Sequence, residues 1–133
     1  GKWELLGANL LKLLPWDAAQ KQSFGEDLKE AFRVAREEAK YLLPEGASPD
    51  DIEYVMTLLL SNGHDLMNLM AVCWHDALTG TPVSTPNVDF CRKELSDLMR
   101  SLFDFVMFKR TRLHEKIDEF CVKRYGQSVF IAT

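Results

Sequence analysis

Apolar residues recur along this chain three and four positions apart, and prolines, glycines and capping residues separate the stretches that keep this spacing. Such recurrence is the mark of amphipathic helices, which bring every third or fourth side chain back to one face. Leu5, Leu6, Leu10, Leu11, Leu13 and Leu14 make a short apolar helix that stops at Pro15. Two capping boxes follow, Asp17 with Gln20 and Ser23 with Glu26, and the second helix begins at one of them. From Phe24 onward Leu28, Ala31, Phe32, Ala35, Ala39 and Leu42 share one stripe, until Pro44-Glu45-Gly46-Ala47 ends it. Glu37, Glu38 and Lys40 lie off that stripe.

Ser48 caps the next helix, with Pro49 at its first position and Asp50 and Asp51 in the first turn, where the helix dipole favours negative charge. Ser61-Asn62-Gly63-His64-Asp65 reads locally as a stop and a new start. Yet Ile52, Val55, Met56, Leu59, Gly63, Leu66, Met70, Cys73, Trp74 and Ala77 stay in phase across it. The retained phase predicts one helix as far as Leu78, with Gly63 on its packed face.

Gly80-Thr81-Pro82-Val83-Ser84 is a loop, and Thr85-Pro86 repeats the cap-plus-proline start. Val88, Cys91, Leu95, Leu98, Met99, Leu102, Val106, Leu113, Ile117 and Phe120 then share a stripe up to Tyr125-Gly126. That predicts a last helix of about 40 residues, roughly 60 Å long, which bends or projects. The fold expected is all-α, a single domain over residues 1–133. It is a bundle of about three long antiparallel helices plus a short N-terminal helix. Its core contains Leu95, Leu102, Val106 and Ile117, with Leu28, Phe32, Ile52, Leu59 and Met70 facing them.

Composition agrees. With 133 residues, 47% of them hydrophobic and 27% charged, the chain can bury one ordinary core. A formal net charge of −4 argues against a general nucleic-acid binder. Cys73, Cys91 and Cys121 are an odd number without close spacing, which suits reduced, buried thiols and a cytoplasmic location. No apolar run approaches the roughly 20 residues of a membrane span, and Gly1-Lys2-Trp3-Glu4 carries no signal-peptide pattern.

Candidate chemistry is sparse. His64 and His75, eleven residues apart in the sequence, would lie about 16 Å apart on one helix, too far to share a metal ion. Cys73 and His75 point to opposite sides of a helix. His114-Glu115-Lys116-Ile117-Asp118 falls one histidine short of the zinc-protease pattern, so a surface His114–Asp118 pair is expected instead. No histidine has a glutamate three residues before it, as a di-iron bundle requires; Ser61, Val72 and Thr111 stand there. No glycine-rich phosphate loop or nucleophile elbow occurs. The expectation is a chain with no catalytic residue, no metal and no cofactor.

Two features point to a partner. Acidic side chains outnumber basic ones two to one between Asp17 and Glu53, whereas Lys109 to Arg124 reverses the balance. In Leu102-Phe103-Asp104-Phe105-Val106-Met107-Phe108 apolar side chains surround the helix, with Asp104 the one polar break. Such a helix is either central to the bundle or covered by another chain. Phe90 and Phe108 share a direction opposite the main stripe, and Lys109, Arg110 and Arg112 adjoin them. An apolar centre with a charged rim is the anatomy of a protein interface. The reading favoured is a non-enzymatic protein-interaction or regulatory domain, self-association included, that binds through Phe90, Phe108, Lys109, Arg110 and Arg112. The alternatives are an apolar ligand among Met67, Met70, Trp74, Met99, Phe103 and Met107, or nucleic acid held by the basic end.

Overall fold

Asp17, not Ser23, starts the second helix. A computed structural model describes residues 1–62, 65–81, 86–107 and 112–127, and among them the chain is all-helical. The helices are α1 (Lys2–Leu13), α2 (Ala18–Leu42), α3 (Pro49–Leu60), α4 (Asp65–Thr79), α5 (Val88–Met107) and α6 (Arg112–Tyr125). At α2 the Asp17 carboxylate accepts from the Gln20 N–H at 2.8 Å, and the Gln20 side chain accepts from the Asp17 N–H at 3.3 Å. Both halves of the capping box are therefore formed. Leu14 and Leu43, the residues before Pro15 and Pro44, are extended, as the proline ring demands of its predecessor, and this ends α1 and α2.

Among the described residues six helices stand where four were expected. The predicted helix from Ser48 to Leu78 is two, because α3 closes at Leu60 with Ser61 as its cap and α4 begins at Asp65. Gly63 and His64 lie outside the described residues. The local stop signal was right and the preserved phase misled. Two successive helices that bury stripes against one core, Leu59 and Leu60 from α3 and Met67, Met70 and Cys73 from α4, keep a common register without being continuous. The predicted 40-residue helix is likewise described as α5 and α6, with residues 108–111 outside the description.

The predicted cap at Thr85 moves to Asn87. Its carbonyl accepts from the Cys91 N–H at 3.0 Å and its side-chain oxygen from the Phe90 N–H at 3.1 Å. Pro86 stays outside the helix, and its carbonyl accepts from the Trp16 indole at 3.1 Å. That bond ties together the starts of α2 and α5. Gly80 ends α4 with φ of +75°, while Thr81 N–H reaches Asp76 O at 3.0 Å. A left-handed residue there satisfies carbonyls the helix leaves open, and glycine adopts that conformation without strain.

The core follows the predicted stripes. Leu28, Phe32, Leu59, Met70, Leu95, Leu102 and Ile117 are buried; Ile52 is half-buried and packs on them; the Val106 side chain lies outside the description. α1 crosses α2 antiparallel, with Glu4 beside Arg36 at one end and Leu11 against Gly25 at the other. Gly7 permits this approach, since a Cβ there would meet Leu28 and Phe32 side-chain atoms at 3.1 Å. The three thiols are buried and none is in a disulfide, as read from the sequence.

Candidate functional site

Phe90 occupies the first turn of α5, fixed by the Asn87 cap, and its side chain is 42% exposed. Phe103 lies on the opposite flank of the buried stripe Cys91–Leu95–Leu98–Leu102 and is 60% exposed. The all-apolar segment is therefore not buried on every side. An exposed Phe103 also cannot line an internal cavity with Met67 and Met70, so that expected lining is not assembled. α4 packs beside α5, and its outer face adds Val72 and Leu78, the latter 70% exposed. Arg112 is exposed at the first position of α6. Phe108, Lys109 and Arg110 lie outside the described residues, and the described part of the predicted set is Phe90 and Arg112.

Polar networks at the other end of the molecule escaped the sequence reading. Arg36 of α2 donates to Glu4 of α1 through both Nη atoms, and to Glu53 of α3 at 2.8 Å. Hydrogen bonding from this guanidinium holds the Glu4 carboxyl down at about 2 against an ordinary 4.5. Asp51, expected as a solvated first-turn acid, is 7% exposed. Its carboxylate accepts from the Tyr125 hydroxyl and from Arg124 Nε at 3.2 Å, which pins the end of α6 to the start of α3. The Tyr125 bond is the main cause that lowers the Asp51 carboxyl. Nothing local marks these pairs, because the partners are 17 to 74 positions apart.

Two clefts flank α1. One, of about 400 Å³, runs along α2 over Ala8, Leu11, Gly25, Leu28 and Phe32, with Lys21 and Lys29 on its wall. The other, of about 340 Å³, lies against α3 between Trp3, Leu6, Tyr54 and Thr57, with Lys2, Asp50 and Glu53 around it. Its aromatic walls are anchored. Trp3 Nε1 donates to Thr57 Oγ1 at 3.0 Å, and the Tyr54 ring packs on Phe120 with centroids 4.6 Å apart.

The histidines divide. His75 is solvent-facing, as expected, whereas His114 is 4% exposed, which corrects the surface pair with Asp118. His114 follows the buried Leu113 and precedes the buried Ile117 on the inner face of α6, so burial comes from the helix's setting in the fold. Among the described residues no three His, Cys, Asp or Glu side chains group as metal ligands would. Burial pushes all three thiols up, Cys91 to about 11, so each stays protonated and a poor nucleophile. Among the described residues no helix is long and apolar enough to cross a membrane. Comparison with family models, curated proteins and solved structures finds no match to this chain.

Proposed function

We propose that this chain is a non-enzymatic protein-interaction or regulatory domain that binds through the outer faces of α4 and α5 and the start of α6, self-association being one form of that binding. The observation that carries the reading is the exposure of Phe103, with Phe90, Val72 and Leu78 on the same pair of helices. Scattered apolar side chains are normal on a surface, but several on two adjacent helices make an interface anatomy when a charged rim adjoins them. Arg112 belongs to that rim, and the sequence adds Phe108, Lys109 and Arg110 beside it. The partner surface is then apolar at its centre and acidic at its edge. The domain acts in the cytoplasm, in keeping with its unbridged thiols, and as a helical bundle needing no cofactor.

Light scattering over a concentration series, with circular dichroism, tests the proposal. Phe103→Asp and Phe108→Asp should keep the helical signal and lose self-association or capture of the partner. A variant that keeps the wild-type mass and partner defeats the reading. So does a Phe108→Asp chain that unfolds, since a charge stranded in a core is what would unfold it. The cleft along α2 supports a second reading, an apolar ligand seated on Leu11, Leu28 and Phe32.

A further inference from the structure

We propose that the cleft between α1 and α3 binds a small organic ammonium ion, its cationic head seated between Trp3 and Tyr54 and paired with Asp50. The proposal does not rest on the interface reading of α4 and α5.

Four observations converge. First, the cleft's volume of about 340 Å³ is at the small end of the range for ligand sites, which suits a compact head group rather than a drug-sized molecule. Second, it offers both indole and phenol rings, and the electron-rich faces of such rings attract ammonium groups. Both rings are held before any ligand arrives, Trp3 by Thr57 and Tyr54 by Phe120, so little ordering cost remains for binding.

Third, the rim of the cleft carries an acid. Asp50 is exposed and has no ion-pair or hydrogen-bond partner among the described residues. It stands in the first turn of α3, where the helix dipole favours negative charge. Fourth, Glu53 is only partly compensated. Its Oε1 takes one nitrogen of Arg36, a guanidinium it shares with Glu4, while its Oε2 is buried without any hydrogen-bond donor among the described residues. A carboxylate left with one bare oxygen projects its charge into a neighbouring cleft of low polarity.

Lys2 is the opposing charge. It is exposed, and its flexible four-carbon stem can carry the ammonium out to solvent. Asp50 thus faces one displaceable cation, while Arg36 and the N-terminal ammonium accompany Glu53 and Glu4. An anion would meet Asp50 and the negative faces of two rings. A purely apolar ligand would leave Asp50 without a counter-charge.

Choline is a suitable probe, and 3,3-dimethyl-1-butanol is its neutral carbon isostere. Each is titrated into the full chain by calorimetry, and the Trp3 indole N–H resonance is followed by NMR. Choline should bind saturably and move the Trp3 signal, and the isostere should bind roughly tenfold more weakly, since it lacks the charge the rings and Asp50 recognise. Asp50→Asn and Tyr54→Leu should each weaken choline by roughly fivefold at unchanged helix content. Lys2→Glu should tighten it, a gain that misfolding cannot produce. Equal affinity for the isostere overturns the proposal. So does a choline response that spares Trp3, one that Asp50→Asn leaves unchanged, or one that sodium ions reproduce at the same concentration.

Discussion

α2 and α4 pack into one core, yet their outer faces differ in kind. α2 turns Glu26, Asp27, Lys29, Glu30, Arg33, Glu37 and Lys40 to solvent, and its Arg33 guanidinium pairs with Glu30. Among its described side chains α4 turns out Asn68, Ala71, Val72, His75, Leu78 and Thr79, none of them aspartate, glutamate, lysine or arginine, while Asp76 beside His75 is half-buried. Their inner faces are alike, Phe24, Leu28, Phe32 and Ala35 on one and Met67, Met70 and Cys73 on the other. Burial alone thus accounts for both inner faces, while only α2 is finished as a surface for water. The contrast singles out the outer face of α4 as the one on which the proposed partner would sit.

The strongest way to break the comparison is to attack what the two helices share. Phe32→Ala removes a buried ring that meets Trp3 with centroids 6.0 Å apart. It should cost roughly 3–5 kcal/mol in denaturant melts, the usual loss for a core phenylalanine. A loss below about 0.5 kcal/mol would mean that α2 is not the core helix described. Leu102→Ala on α5 should cost roughly 2–5 kcal/mol by the same mechanism.

Next in size is the polar tie that only the α1–α3 end possesses in this form. Arg36→Met leaves Glu4 and Glu53 without their shared cation and should cost roughly 1–3 kcal/mol. It should also change the pH dependence in a definite direction. Glu4 is depressed in the folded chain, so its contribution is present above pH 4.5 and is lost as pH falls from there toward about 2. In the Arg36→Met chain that acid-side loss should flatten, and an unchanged slope over this window would contradict the assignment.

A smaller effect belongs to the caps. Asn87→Ala should cost about 1 kcal/mol, because the Phe90 N–H loses its acceptor, and it should loosen the exposed ring of Phe90. Smallest in stability is the outer-face comparison itself. Val72→Ser with Leu78→Ser on α4, and Arg33→Ala on α2, should each shift stability by no more than about 0.5 kcal/mol. Their effect on association should nevertheless differ. The α4 pair should weaken self-association or partner capture, and Arg33→Ala should leave it alone. Identical behaviour of the two would remove the distinction between the faces.

Much of this architecture was readable from local pattern. The boxes at Asp17–Gln20 and the cap at Ser48-Pro49 appear where their spacing put them. Leu28, Phe32, Leu59, Met70, Leu95, Leu102 and Ile117 are buried as their spacing predicts, because helical spacing and apolarity are properties of neighbours in sequence. The breaks were harder to read. Ser61-Asn62 carried the right signal, and the in-phase stripe outvoted it. The candidate site was legible only in part. Phe90 and Arg112 were named and are exposed, while Trp3, Asp50 and Tyr54 were passed over as a site because Trp3 stands 47 and 51 positions from the other two and no local spacing joins it to them.

By itself, the sequence determined that the chain is helical, where α1 and α2 end and α3 begins, and which side of each helix is apolar. These depend on propensity, caps and a short-range period, which act within a turn or two. Only the tertiary structure decided that the stripe after Ser48 is carried by two helices. It alone buried His114, gave Asp51 the Arg124 and Tyr125 partners, and set Arg36 between two glutamates. It also set Trp3 and Tyr54 on one cleft. Each of those outcomes depends on which helix crosses which and at what level. That is fixed by the packing of whole faces against one another, and no local spacing encodes it.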